Sequence, residues 1–347
     1  MIRIRQFASA ALLCATALSP AHAQQLNLTE EERTPMACDQ TFTVEQISTT
    51  RVEKADKPVT ILFSVPAYAN LYTQALLFGA RKAADEAGVT LQITAGTDFM
   101  DPASQMTQLE NALSKKPDAV LINPADPDGL ALFLDEVVEG GTPVIDVGSL
   151  SNSTLSYKLV QDDYTHGVIA AGAIMAGMPS GDTGIVMGGP ATASWARRRV
   201  AGFLDTIAAA YPVAATVSTN VDPQEGLTKF LNAAQASPEL KWVYATGSFL
   251  LAPQSIPEEF AGVTYIAGSL SNVTEEALRE GKMTAVIPDF PISAGYLGVK
   301  LALDVLDGKE IAKRNCLPVV AVSAADLADP MWKENNVLPA DFKQIGN

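Results

Sequence analysis

The sequence from Thr183 to Phe203, TGIVMGGPATASWARRRVAGF, decides the fold class of this chain. Its apolar run at 185–187 predicts a short buried strand, and the Gly-Gly-Pro that follows breaks that strand. From about Thr192, apolar residues recur at helical spacing, which predicts a helix. A strand, a turn and a helix in this order are typical of half a βαβ unit, in which helices cover a parallel sheet.

Three consecutive arginines, Arg197, Arg198 and Arg199, fall in the first turns of that helix. A helix N-terminus already carries partial positive charge, so cations there are unfavourable unless they meet a ligand or an acidic group. We predict that Arg197, beside Trp195 at the carboxyl end of a strand, binds a ligand. Arg199 is expected to brace its lobe, and Arg198 to be solvated.

Segments of strand and helix character alternate from Pro58 to about Asp307, which predicts parallel sheets covered by helices on both faces. The number of strands exceeds one comfortable core, so we predict two Rossmann-like α/β lobes. A last strand is expected at 317–322. The predicted first lobe comprises residues 58–161 and 291–317 and the second comprises 162–290 and 318–330, with an extended arm at 24–57 and a loose tail at 331–347.

The amino terminus has the pattern of a secretory signal peptide, with Arg3 and Arg5 before an apolar run at 7–18 and a small-residue cleavage pattern ending at Ala23. Residues 1–23 are therefore expected to be removed on export. We find no later run of about 18 apolar residues, so direct membrane insertion is not expected. The net charge of −15 makes nucleic acid and anionic lipid poor partners.

Removal of the leader would leave two cysteines, Cys38 and Cys316, and an isolated pair in an oxidising compartment favours a disulfide. It would also leave one histidine, His166, which is little material for a Ser–His–acid triad or a histidine-based metal site. The sequence lacks a G-x-x-x-x-G-K-[ST] P-loop, and G-x-G-x-x-G does not follow the first strand. We expect no cofactor, no metal and no enzyme activity; the alternative is a secreted α/β enzyme acting on a small metabolite.

Ligands of open parallel sheets bind beyond the carboxyl ends of the strands, so the loops there supply the candidate site. They offer aromatic faces, amides, hydroxyls, one cation and one acid, which suits a small neutral or zwitterionic polar ligand. Structural roles are the alternatives: Tyr68 and Tyr72 can form a staple at a helix entry, and Asn123 can cap its own loop. The candidate ligand-binding residues from these loops are Tyr68, Tyr72, Asn123, Trp195, Arg197, Ser269 and Asp289.

Several short segments, taken in order along the chain, carry a resemblance to a known family. They are 78–84 (FGARKAA), 121–124 (LINP), 143–146 (PVID), Asp163 with Gly167, 196–203 (ARRRVAGF), 281–285 (GKMTA) and 298–300 (GVK). Together they resemble the type I periplasmic solute-binding proteins of the ribose-binding-like group. The resemblance covers about 58–322 and implies a periplasmic protein with two lobes, joined by three hinge strands, that close on a ligand in the cleft.

The resemblance also implies roles for single residues. The arginine that contacts ligand in sugar-binding members falls on Arg197, the strand-end asparagine on Asn123, and the hinge-side polar residue on Asp289. The pattern at the first crossing between lobes adds Asp163 to the candidate ligand-binding residues. In contrast, Gly148 and the residue after it replace an Asp-Arg pair of the sugar-binding members. Loss of such partners argues against an ordinary hexose or pentose.

A second resemblance concerns the partner. Residues 42–44 (FTV), Tyr72 and 245–247 (ATG) look similar to the TorT-type periplasmic proteins, which work with a sensor kinase in sensing trimethylamine N-oxide. We therefore expect a receptor that closes on a small polar ligand, either a sugar-like or polyol solute or a small amine oxide. Its membrane partner is expected to be an ABC transporter permease or a sensor histidine kinase.

Overall fold

The computed structural model describes residues 28–99, 101–247 and 256–346, which form two α/β lobes. Each lobe has a parallel sheet flanked by helices, so the predicted fold class is confirmed. The predicted signal peptide, residues 1–23, lies outside the described residues. Within the described segments, no helix is long and apolar enough to cross a bilayer.

The sheet of the first lobe has the strand order β1-β12-β6-β5-β4-β2-β3, and all its pairings are parallel. Its central strands are apolar runs buried on both faces, with Ile61, Leu121 and Ile145 fully inaccessible to solvent. The strands are β1 (Gln40–Thr41), β2 (Thr60–Val65), β3 (Thr90–Ala95), β4 (Ala119–Ile122), β5 (Val144–Val147), β6 (Tyr157–Gln161) and β12 (Arg314–Leu317).

The sheet of the second lobe has the order β11-β10-β9-β7-β8 and is also parallel. The apolar run at 185–187 lies in β7, an interior strand between β9 and β8, and its Ile185 and Met187 are fully buried. The strands are β7 (Thr183–Gly189), β8 (Val213–Ser218), β9 (Leu240–Ala245), β10 (Thr264–Ala267) and β11 (Ala285–Val286).

Helices cover both sheets, and local caps fix several of their ends. The side chain of Asn70 accepts a hydrogen bond from the Thr73 amide at the start of α2, and Gly88 ends that helix in the left-handed conformation. The helices are α1 (Val44–Thr49), α2 (Leu71–Ala87), α3 (Pro102–Leu113), α4 (Ala131–Glu139), α5 (Asp163–Gly177), α6 (Ser194–Thr206), α7 (Pro223–Gln235), α8 (Asn272–Arg279), α9 (Pro291–Leu306) and α10 (Pro330–Asn336).

The chain passes between the lobes at three places: between β6 and α5, between β11 and α9, and after β12. The third passage corrects the strand predicted at 317–322. That strand ends at Leu317, because Pro318 has no N–H to continue the ladder. Val322 instead forms an antiparallel bridge with Val286, in the other lobe.

The arm and the tail are structured, which corrects the prediction of an extended arm and a loose tail. In the arm, β1 pairs with β12, α1 follows, and a disulfide joins Cys38 to Cys316 with 5.8 Å between their Cα atoms. The tail forms α10, and its apolar residues Val337, Leu338 and Ile345 are buried. Burial of these apolar side chains against the cores of the lobes stabilises the folded tail, although most residues around them are polar.

Candidate functional site

A cavity of about 240 Å³ lies between the lobes, at the carboxyl ends of both parallel sheets. Its wall combines apolar side chains with a few amides, hydroxyls and charged groups, as in other sites for small polar ligands. The lining residues are Ala69, Asn70, Leu71, Tyr72, Phe99, Asn123, Gly148, Ser149, Gln161, Trp195, Arg199, Val221, Pro223, Gly247, Ser269, Ser271, Val273, Asp289 and Leu317.

Arg199 is the cation of this cavity. It lies one helical turn after Trp195 on α6, so both side chains face the same way, and its Cζ atom lies 5.2 Å from the centroid of the Trp195 ring. Arg197 lies two residues before Arg199, on the opposite side of the same helix. Which of these arginines faces the cavity is therefore determined by the start of α6 at Ser194 and by the rotation of the helix about its axis.

Arg199 is held by two carboxylates and two carbonyls. Its Nε atom donates to Asp163 at 2.8 Å and its Nη2 atom to Asp289 at 2.6 Å, while Nη1 donates to the carbonyls of Thr246 and Gly268. Four of the five guanidinium N–H groups are thus used. The remaining N–H, on Nη2, has no partner among the described residues and can donate to a ligand.

Burial disfavours the charged forms of Asp163, Asp289 and Arg199, whereas the pairing of the two carboxylates with the guanidinium favours those forms. Burial raises the pKa of Asp163 to about 6, although Arg199 opposes the shift. Burial likewise raises the pKa of Asp289 against the effect of Arg199. Burial disfavours the charge of Arg199, but the two carboxylates outweigh it and raise its pKa. With two acids around one cation, the cluster does not favour a further anion.

His166 lies behind the cluster and is fully buried. Its Nε2 atom is 3.2 Å from the carbonyl oxygen of Gly268 and its Nδ1 atom is 3.2 Å from the hydroxyl of Tyr244. Nε2 must carry the proton, since a carbonyl only accepts, so Nδ1 accepts from Tyr244. Burial and the nearby Arg199 lower the pKa of His166 well below its usual value, and the ring is a neutral structural group.

The first lobe contributes an amide and an aromatic hydroxyl. Asn123, directly after β4, donates through Nδ2 to the carbonyl of Val147 at 2.8 Å. This bond turns its Oδ1 atom the other way, where it is buried without a partner among the described residues. Gly148 has φ 81°, and a Cβ there would lie 2.1 Å from the hydroxyl of Tyr72. Tyr72 thus occupies the space that a side chain at 148 would need.

Gln161 is a cavity residue that the sequence analysis missed. It is the last residue of β6, and its Nε2 atom donates to the carbonyls of Pro288 and Pro318, in the other two passages between the lobes. Its position in the sequence could have indicated this, because a polar residue at the carboxyl end of a parallel strand lies at the edge of the sheet where ligands bind.

The structure brings most of the predicted residues together, but it places two elsewhere. Tyr68 packs its ring near Gly346 of the tail, and Arg197 pairs with Glu32 of the arm. Asp163 lies behind Arg199 as its partner and does not line the cavity. The predicted residues that line the cavity are Tyr72, Asn123, Trp195, Ser269 and Asp289.

The arm takes up two of the three arginines. The Nη2 atom of Arg197 donates to Glu32 at 2.8 Å, and Arg198 donates to the carbonyls of Glu31 and Thr34 at 2.8 and 2.7 Å. Arg198 is 6% exposed, so the prediction that it is solvated is wrong. The sequence of α6 alone does not show the cause, which is the arm lying across this helix.

The described part of the chain offers no candidate metal site. Within residues 28–99, 101–247 and 256–346, no cluster of three or more His, Cys, Asp or Glu side chains has the arrangement of a metal site. Asp289, which lines the cavity, and Asp163, which lies behind it, are both paired with Arg199. The arrangement is suited to holding a polar solute by hydrogen bonds and ring contact.

Two parallel-sheet lobes around such a cavity define a two-lobed solute-binding protein. The chain belongs to the family described as periplasmic binding protein domain, which it matches over residues 61–310. This confirms the resemblance to type I periplasmic binding proteins. Its relatives are binding proteins, so the prediction of a non-enzymatic protein is confirmed as well. A TorT-type subgroup stays a prediction.

Individual relatives and solved structures that resemble the chain are binding proteins of import or transport systems. The ribose import binding protein of Escherichia coli strain K12 is 27% identical over 260 residues, 73% of this chain and 86% of that protein. The ribose import binding protein of Bacillus subtilis strain 168 is 24% identical over 76% of this chain and 87% of that protein. A carbohydrate transporter solute binding protein from Agrobacterium radiobacter, in complex with D-arabinose, is 27% identical, with a TM-score of 0.72 over 81% of this chain and all of that one.

Proposed function

We propose that this protein is the periplasmic solute-binding component of an ABC importer and that its solute is a small, neutral, sugar-like polyol. The observation that carries the proposal is the cavity between the lobes, whose polar atoms come from the first lobe, the second lobe and the passages between them. A solute that bonds to all three parts stabilises their closed arrangement, because it binds that arrangement more tightly than any other.

The chemistry of the wall supports a polyol. Asn123 and Gln161 present buried amide oxygens, Asp289 presents a carboxylate, and Arg199 retains one N–H. This set is rich in acceptors, and the hydroxyls of a polyol donate to acceptors. The face of Trp195 adds an apolar surface on which the C–H groups of a sugar ring can lie. A net acid excess around Arg199 disfavours an anionic solute.

The size of the cavity supports a small solute. Its volume of about 240 Å³ is below the roughly 300–1,000 Å³ that is typical of pockets for drug-sized ligands. Small residues at Gly148, Ser149 and Ser269 stand where sugar-binding members of the family are expected to carry acids or a cation. We infer that the solute is sugar-like but differs from the pentoses and hexoses those members hold, since its hydroxyls meet a different set of partners.

The names of the relatives support the importer role, since two are ribose import binding proteins and one is a carbohydrate transporter solute binding protein in complex with D-arabinose. The partner proposed from them is an ABC permease, which would contact the outer faces of the closed lobes. No relative named above supports a sensor kinase partner or an amine oxide ligand. The periplasmic location is proposed from the family together with the expected export leader.

A thermal-shift screen tests the proposal directly. The purified protein is heated with D-ribose, D-arabinose, D-allose, D-fucose, ribitol and xylitol, with trimethylamine N-oxide and glycine betaine as the competing class. A binding polyol raises the melting temperature in a concentration-dependent way, and calorimetric titration gives its dissociation constant. The solute recovered afterwards should be unchanged. A shift with the amine compounds alone would contradict the polyol assignment, and a converted solute would contradict the receptor role.

A further inference from the structure

Gln161 connects all three passages between the lobes. It ends β6, where the first passage begins, and its Nε2 atom donates to the carbonyl of Pro288 at 2.8 Å and to that of Pro318 at 2.6 Å. These two carbonyls belong to the second and third passages. Because both amide hydrogens are used, the amide plane of Gln161 has one orientation.

That orientation leaves the amide oxygen without a bond. Oε1 of Gln161 is buried and has no hydrogen-bond partner among the described residues, although the residue lines the cavity. A buried carbonyl without a donor is unfavourable, and a site that contains one gains when a ligand supplies the donor. The residue as a whole is 3% exposed, so a bulk water shell does not satisfy it.

We propose that Gln161 is a positioning residue for both the solute and the hinge. Its Nε2 atom holds the second and third passages against the first, and its Oε1 atom accepts a hydrogen bond from a hydroxyl of the bound solute. One side chain thereby couples occupation of the cavity to the geometry of all three connections. The second part rests on the function proposed above, because it requires a solute with hydroxyl donors; the first part concerns the ligand-free protein.

The chain offers a matched control. Asn315 in β12 is also a buried amide, with 1% exposure, and its Nδ2 atom donates to the carbonyls of Lys158 and Ala312. Its Oδ1 atom is likewise buried without a partner among the described residues. Asn315 does not line the cavity, and both its carbonyl partners lie within the first lobe. Replacing it tests loss of a buried amide without loss of the hinge or solute contact.

The first experiment uses the ligand-free protein. Nitroxide labels at Glu110→Cys on α3 and Glu276→Cys on α8 report the distance between lobes by double electron–electron resonance, and both positions are exposed. Gln161→Leu should broaden the distance distribution, whereas Asn315→Leu should leave it as in the parent. Equal distributions in all three proteins would overturn the hinge role. If Gln161→Leu does not fold, Gln161→Asn retracts the same amide by one methylene and should give the same result.

The second experiment measures binding of D-ribose, D-arabinose and ribitol, and of monodeoxy derivatives of the one that binds best. Gln161→Leu should lose about ten- to a hundredfold in affinity for the parent solute but little for one particular deoxy derivative, while Asn315→Leu stays near wild type. Equal affinity of Gln161→Leu and wild type would overturn the solute contact. Equal losses in both variants would overturn it too. If neither these three nor the other sugars and polyols of the thermal-shift screen bind to wild type, the proposed polyol function and the solute contact both fail, and the distance measurement still decides the hinge role.

Discussion

The Nη2 atom of Arg199 lies 2.6 Å from Oδ1 of Asp289, and this contact joins helix α6 to the second passage between the lobes. Asp289 directly precedes Phe290, which has φ 53° and caps α9 of the first lobe. The cation of the cavity is thus bonded to one of the three passages that join the lobes. A solute that takes the remaining N–H of Arg199 bonds to the same cluster.

Replacing Arg199 by Lys should weaken solute binding by more than tenfold and lower the stability of the protein. A lysine has neither the planar fork that bonds to Asp163, Asp289 and two carbonyls nor the same contact with Trp195. Calorimetric titration with the polyol found in the thermal-shift screen, together with urea unfolding, measures both effects. The control is Arg197→Ala, which should retain binding because Arg197 lies outside the cavity lining. The opposite ranking of the two variants would contradict the placement of the site.

Gly148→Ala should be far more damaging than an alanine at another glycine with positive φ. At Gly148, φ is 81° and the new Cβ would lie 2.1 Å from the Tyr72 hydroxyl; at Gly88, φ is 72° and nothing lies within 4 Å. Gly88→Ala should therefore cost only the backbone term of roughly 1–2 kcal/mol. In a Tyr72→Phe background, the penalty of Gly148→Ala should shrink, which a double-mutant cycle of urea unfolding measures. Strict additivity would show that the two groups do not compete for space.

The sequence was sufficient for the fold because its signals are local and repeated. Apolar runs such as Ile185–Met187 recur between helical segments, and each is interpreted by the same rule of a buried parallel strand. The rule that ligands bind at the carboxyl ends of strands predicts Asn123 and Asp289 as candidate ligand-binding residues, and both line the cavity. Neither step needed the position of any distant segment.

In contrast, predicting which of the three arginines lines the cavity required the position of a distant segment, the arm. A shift of two residues along α6 turns a side chain by about 200°, so an error in the start of the helix moves the prediction from the cavity to the opposite surface. That surface is covered by the arm, whose acid Glu32 meets Arg197. The arm has no periodic pattern that indicates where it docks. The roles of Arg197 and Arg198 therefore depend on contacts with a segment about 165 residues away, which the local sequence pattern does not indicate.

The contact between Arg198 and the arm should contribute to the stability of the protein. Arg198→Ala removes two charge-assisted hydrogen bonds, to the carbonyls of Glu31 and Thr34, and should lower the free energy of unfolding by on the order of 2 kcal/mol. The freed arm should also be cut faster by trypsin after Arg33. The control is Arg279→Ala, because Arg279 is half exposed and makes no contact with the arm among the described residues. It forms an i,i+4 pair with Glu275, worth a few tenths of a kcal/mol, and a 3.3 Å hydrogen bond to the carbonyl of Leu327. Equal rates of cleavage after Arg33 in the two variants would contradict this role of Arg198.

Asp163 should make the protein less stable as the pH rises from 4 to 7. Burial raises its pKa from 3.8 to about 6, so the folded state holds this proton more tightly than the unfolded state does. The contribution is fully present below pH 3.8 and is lost as the pH passes 6, by up to about 3 kcal/mol. Asp326→Asn is the control of opposite sign, because hydrogen bonds from Ser323 lower the pKa of Asp326. Urea unfolding at several pH values should show Asp163→Asn gaining on wild type as the pH rises and Asp326→Asn losing, whereas parallel curves for Asp163→Asn and wild type would mean that Asp163 ionises as freely in the folded protein as in the unfolded chain.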